Sequence, residues 1–329
     1  MNKEIYDIMY DIMYSKWCSS TEITDRKVAA EIKKIQSLND INFDYIVQIG
    51  CYYPRASKAL DRLFAKFCRG ASNEDEHDAV WMAAVRYGNS RFFKDNTKIL
   101  LLKSWVYGKK NQAHYYWYDE NVVDYVKLYD FKNKAFTYDL LVRLVGYYKS
   151  SRNYSILHHI EKTFLNIGKR RLDDACKLMS NATPAIRACL LQRSDISNDK
   201  YILLGLRALS KLSSQRKINV KIDLSSLSKL GPKSRLDAMK QLLGMFDEYL
   251  IFMKNKKHDP VFANYYGLDY KSNHERSLER EFKNKNYELP FKEIPTREQV
   301  QLFLFPCMIK HNEEVAELMK RFDDMIIKR

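Results

Sequence analysis

The sequence predicts an all-α protein, and three observations carry that prediction. Apolar residues recur at steps of three and four along most of the chain, the spacing that gathers them on one face of a helix. The 329 residues include only 10 Gly and 7 Pro, too little punctuation for many short strands. Hydrophobic residues make up 46% of the chain, enough for a sizeable core and against wholesale disorder.

Taken in order, the chain opens with a tandem YDIM at 6–9 and 10–13, which puts Tyr6, Tyr10 and Tyr14 on one face of a helix. Ser19 and Glu22 fit a capping box ahead of a helix carrying Ile23, Val28, Ile32 and Ile35. Residues 42–49 form a short apolar piece that suits helix or strand. Pro54 opens a helix with Ala59, Leu63, Phe64 and Phe67 on one side. The acidic run at 73–78 precedes AVWMAAVRYGN, as negative charge at a helix N-terminus should, and KILLLKSWVYGKKN follows.

The clearest pair comes next. Thr137 reads as the N-cap of a helix with Leu140, Leu141, Leu144, Val145 and Tyr148 on its apolar side. Asn153 reads as the cap of a second, with Ile156, Ile160, Phe164 and Ile167, and Gly168 is placed to end it. Further helices are expected at 120–128, 172–179, 184–191 and 198–212, and a long one from Gly231-Pro232. The stretch 258–295 is polar and contains Pro260, Pro290 and Pro295, with one charge-dense helical piece, SNHERSLEREFKNK. A last helix at 313–327 carries Val315, Leu318, Met319, Phe322 and Ile326. The organisation read from this pattern is an array of antiparallel helix pairs over 1–215, a basic segment with the long helix over 216–257, and a polar linker or arm with a C-terminal helix over 258–329.

The segments WMAAVRYGN and ILLLKSWVYGKKN resemble the two helices of an ankyrin-type repeat, with small residues and a Gly-Asn turn followed by a leucine run ending in Gly. The resemblance covers one unit of about 35 residues, lacks the family's Thr-Pro-Leu-His opening and is lengthened in the middle. It implies stacked helix pairs, of an ankyrin-like or HEAT-like kind.

Charge narrows the choice of partner. The formal net charge is +15, with a pI near 9.3, which favours a polyanion. Residues 201–257 carry 12 basic residues against four acidic ones, the densest footprint in the chain. Arg207, Lys211, Arg216, Lys217, Lys221, Lys229, Lys233 and Arg235 are the candidate contacts, interleaved with Ser213, Ser214, Ser225, Ser226 and Ser234. Such residues suit phosphates, which give affinity without reading bases. The expectation is a binder of RNA or DNA that also meets protein partners through its helical array. A solvated basic face with no ligand is the plainer alternative.

Two constellations bear on chemistry. Arg152-Asn153-x4-His158 resembles the signature of HEPN ribonucleases, in which an Arg and a His at a helix dimer seam cleave RNA without metal. That resemblance implies Arg152 and His158 as a catalytic pair, and an imidazole suits acid–base work near neutral pH. The plainer account makes Asn153 a helix cap; at 100° per residue His158 then lies opposite Ile156, exposed, while His159 borders the apolar stripe. The second constellation, His114 with Asp119, Glu120 and Asp124, reads as the acidic start of a helix rather than a metal site. The six cysteines show no CxxC and no zinc spacing, and no Walker A, HExxH, GxSxG or GxGxxG occurs, so no metal and no cofactor are expected.

The start of the chain is interrupted by acids, unlike a signal peptide, and the apolar runs are too short to span a bilayer, so an intracellular location and no membrane partner are expected. A third reading is a protein-binding helical scaffold of viral or mobile-element origin, hinted at only by the wealth of Lys, Asn, Ile, Tyr and Phe that an AT-rich genome encodes.

Overall fold

A computed structural model describes residues 24–40, 50, 52–87, 91–108, 126, 129, 131, 136–151, 155–213, 222–258, 291 and 293–328. Among these residues the secondary structure is helical with no strand; a single isolated parallel bridge pairs Ile222 with Phe291. The all-α class follows. The chain divides into two compact units, Met1–Ile167 and Gly168–Arg329.

In the first unit, α1 (Asp25–Lys34) starts at Thr24, whose hydroxyl accepts from the Lys27 amide at 3.3 Å. The capping box at Ser19 and Glu22, the YDIM repeat and the piece at 42–49 lie outside the described residues. α1 buries Val28 and Ile32, together with Ile35 at its C-cap, against Ala56, Ala59, Leu60 and Leu63 of α2 (Pro54–Gly70), which carries its proline at the first position. α3 (Glu74–Tyr87) opens on a reciprocal cap. The Asn73 side chain accepts from the Glu76 amide at 2.9 Å, and the Glu76 carboxylate accepts from the Ser72 amide at 2.7 Å. The hydrogen bonds from the Ser72 amide and hydroxyl hold the Glu76 carboxyl below its usual range.

α4 (Asp95–Tyr107) packs on both α3 and α2, with the rings of Trp81 and Trp105 at 5.6 Å. Asp61, Asp78 and Arg143 of this unit are buried: Asp61 accepts from the Lys94 amide at 2.8 Å, and Arg143 lies over the Trp105 ring at 5.2 Å. α5 (Thr137–Ser151) and α6 (Ser155–Leu165) pack together over Leu140, Leu141, Leu144, Ile156, Ile160 and Phe164, all fully buried. Thr137 is the first residue of α5 rather than its cap, and its buried hydroxyl shares a 3.0 Å hydrogen bond with that of Tyr129. Asn153 lies outside the described residues, as does 120–128 but for the buried Val126.

In the second unit a 3-10 turn, Lys169–Arg171, leads into α7 (Leu172–Ser180). α8 (Pro184–Ala188) continues as a 3-10 turn, Cys189–Gln192, and packs against α9 (Asp199–Ser213). Gly205 makes that approach feasible: a Cβ there would lie 2.9 Å from Leu191 Cγ and 3.4 Å from the Arg187 carbonyl. α10 (Pro232–His258) is the longest helix described and buries Leu236, Met239, Leu242, Leu243 and Phe246.

α11 (Arg297–Leu304) begins with a capping box in which Thr296 Oγ1 accepts from the Gln299 amide at 3.2 Å and Gln299 Oε1 from the Thr296 amide at 2.8 Å. α12 (Met308–Lys328) contains one residue of non-helical backbone, His311. Both α11 and α12 pack on α10, so the C-terminal stretch shares the core of this unit, and the sequence-read boundaries near 215 and 258 fall inside it. The SNHERSLEREFKNK piece lies outside the described residues.

Cys68, Cys176, Cys189 and Cys307 are buried free thiols. Burial pushes Cys68 up to about 12 and Cys176 up to about 11, so both stay protonated at neutral pH. No helix among the described residues is long and apolar enough to cross a membrane.

Candidate functional site

α9 buries Tyr201, Ile202, Leu206, Ala208 and Leu209 along one side. Its opposite side is set by the same periodicity. Lys200, Arg207 and Lys211 stand seven and four residues apart, so they share a face, and all three are exposed. At 1.5 Å per residue they form a row about 16 Å long, with the half-buried Leu203 and Leu204 between them.

What makes the row electrostatically open is where the neighbouring acids point. The one acid of α9, Asp199, accepts from the Gly231 amide at 3.0 Å and so helps open α10. Asp173 pairs with Lys177 at 2.9 Å and accepts from the Tyr201 hydroxyl at 3.2 Å, and the Lys177 hydrogen bond holds its carboxyl below the usual range. Asp174 pairs with Arg171 at 2.9 Å. Asp195 pairs with Arg193 at 2.6 Å, and that bond likewise depresses its carboxyl. Lys169, Arg170, Lys200, Arg207 and Lys211 therefore have no ion-pair partner among the described residues.

The residues singled out in the sequence are distributed unevenly over this surface. Arg207 and Lys211 belong to the row, and Lys233 is exposed in the first turn of α10. Lys229 is exposed as a residue, yet its amine donates to the Ser194 carbonyl. Partial desolvation lowers its pKa, with Asp195 and Asp199 opposing that shift. Arg235 turns inward. Its guanidinium donates to the carbonyls of Leu230 at 2.8 Å and Phe303 at 2.9 Å, and to that of Ser228, while lying 5.4 Å from the Phe303 ring. It thus ties the start of α10 to α11, which accounts for a cation in a helical first turn where the macrodipole disfavours one.

Arg216, Lys217, Lys221 and Arg152 lie outside the described residues, as do His114, Asp119, Glu120 and Asp124. His158 is exposed on α6 and His159 is buried, with ring centroids 5.7 Å apart. Among the described residues no group of three His, Cys, Asp or Glu is placed to hold a metal ion. Lys200 was not among the residues singled out, although its seven-residue spacing to Arg207 is visible in the sequence.

Comparison with protein-family models, with curated proteins and with solved structures finds no match to this chain.

Proposed function

We propose that the protein binds RNA or DNA through phosphate contacts made by the exposed cations of its second unit. The observation that supports this reading is the exposed row Lys200, Arg207 and Lys211, none of which has an ion-pair partner among the described residues. Like charges held together repel, and a polyanion relieves that repulsion while shedding its own counterions. Lys233 adds to the set. Arg216, Lys217 and Lys221, which follow α9 in the sequence, join it under this proposal. Contacts of this kind read no bases. An intracellular location belongs to the same proposal, since free thiols persist in a reducing compartment.

The test is a salt titration of fluorescently labelled RNA and DNA of several sequences, comparing wild type with the triple variant Lys200→Gln, Arg207→Gln, Lys211→Gln. Wild-type affinity should fall linearly with salt on logarithmic axes. The triple variant should lose roughly a hundredfold in affinity on every sequence alike, and its salt slope should be shallower by about two to three. A flat salt response, or a triple variant that binds as wild type does, would favour the protein-binding scaffold instead.

A second reading, metal-independent RNA cleavage by Arg152 and His158, is supported by the exposure of His158, since a substrate can reach it. It requires RNA cleavage that survives EDTA and disappears in His158→Ala with the thermal melt unchanged. Wild-type protein that leaves varied RNAs intact would remove this reading.

A further inference from the structure

We infer that the second unit carries a docking site for a linear segment of another protein, one that offers a large apolar side chain next to a lysine or arginine. The site is distinct from the basic row and does not depend on it. Its centre is a cavity of about 450 Å³ between the 3-10 turn Leu224–Leu227 and α11, with Leu224, Pro295, Leu302 and Phe303 in its wall. That volume falls within the roughly 300–1,000 Å³ range of built ligand pockets.

The apolar surface does not stop at the cavity. Leu302 is 72% exposed, Phe305 65% and Ile309 90%. They crowd into the stretch where α11 passes through the 3-10 turn Phe305–Cys307 into α12. A series of large apolar side chains left in water marks an interaction surface rather than scattered exposure. The occupant therefore extends beyond one side chain: an anchor in the cavity, followed by contacts along the strip, as segments that dock through spaced anchors make them.

Charge gives the occupant its second feature. Asp223 and Glu293 also line the cavity, and neither has an ion-pair partner among the described residues. One Asp223 oxygen accepts from the Ser225 amide at 3.0 Å, which leaves the other free to face a ligand. The cation in the wall, Arg235, has its donors on the carbonyls of Leu230, Ser228 and Phe303. With Arg235 counted, the lining carries two carboxylates against one guanidinium, a net negative charge that disfavours phosphate and attracts an ammonium or guanidinium. In a chain of net charge +15, such a pair at such a place selects a basic, apolar segment over a nucleic acid.

The experiment pans phage-displayed random dodecapeptides on the full chain, with the double variant Leu302→Gln, Phe305→Gln as counter-selection. A synthetic fluorescent copy of the enriched peptide is then titrated against both proteins and against Asp223→Asn, Glu293→Gln. Enriched peptides should pair a large apolar residue with Lys or Arg. Binding should weaken at least tenfold in the Leu302/Phe305 variant and roughly three- to tenfold in the carboxylate variant. The substituted side chains are exposed, so melts recorded in parallel should match wild type. Enrichment of peptides without basic residues, equal recovery on the double variant, or no enrichment at all would overturn the inference. So would wild-type self-association in sedimentation that the Leu302/Phe305 variant abolishes, because the occupant would then be a second copy of this chain.

Discussion

The solvent face of α9 and the seam between α10, α11 and α12 use the same residue types in opposite ways. Along the seam three cations meet an acid from another helix: Lys240 with Glu314, Arg321 with Asp247, and Arg297 with Asp323 at 3.0 Å. On α9, Lys200, Arg207 and Lys211 are exposed and have no ion-pair partner among the described residues. A charge count over a stretch of sequence treats both sorts as one. The 12 basic residues of 201–257 include Arg235 and Lys240, which join helices, beside Arg207 and Lys211, which do not. Partner choice, more than charge density, separates a fastening from a binding surface.

The sharpest way to break this comparison is to remove one arginine of each sort. Arg235→Gln should lower stability by about 2 kcal/mol, because three carbonyls lose a charged donor, and should leave the salt slope of nucleic-acid binding where it is. Arg207→Gln should do the reverse. Denaturant midpoints and salt titrations on the two proteins check this, and an Arg235 variant with wild-type stability and a shallower slope would merge the two classes. A smaller effect sharpens the other side. A double-mutant cycle on Arg297→Ala and Asp323→Ala should return a coupling of about 0.2–1 kcal/mol that shrinks with added salt, since both side chains are partly exposed. A coupling of zero would make the seam pairs decoration, with the packing of α12 on α10 resting on its apolar side chains.

Much of the helix order was legible, and for local reasons. Prolines at 54, 184 and 232 stand at the first position of α2, α8 and α10, and the i, i+4 stripes of α5 and α6 are the residues now buried between them. The exposure of His158 followed from its angle to Ile156. α11 escaped because its eight residues carry only Val300, Phe303 and Leu304 as buried positions, too few for a period to register, and the proline-bearing stretch before it reads as a linker. Its signal was the capping box Thr296-x-x-Gln299. The inward turn of Arg235 had no local signal, since its partner Phe303 is 68 residues away. The same holds for Asp199, which accepts from the Gly231 amide across 32 residues. Charge pattern is written locally, whereas the pairing that decides its use is tertiary.

The close approach at Gly205 also constrains the chain's ancestry. A Cβ at 205 would lie 2.9 Å from the branch point of Leu191, so that side chain would have to shift to admit it. Positions 205 and 191 are therefore one unit of variation rather than two. A lineage that gains a methyl group at 205 is expected to move or shrink the side chain at 191 with it.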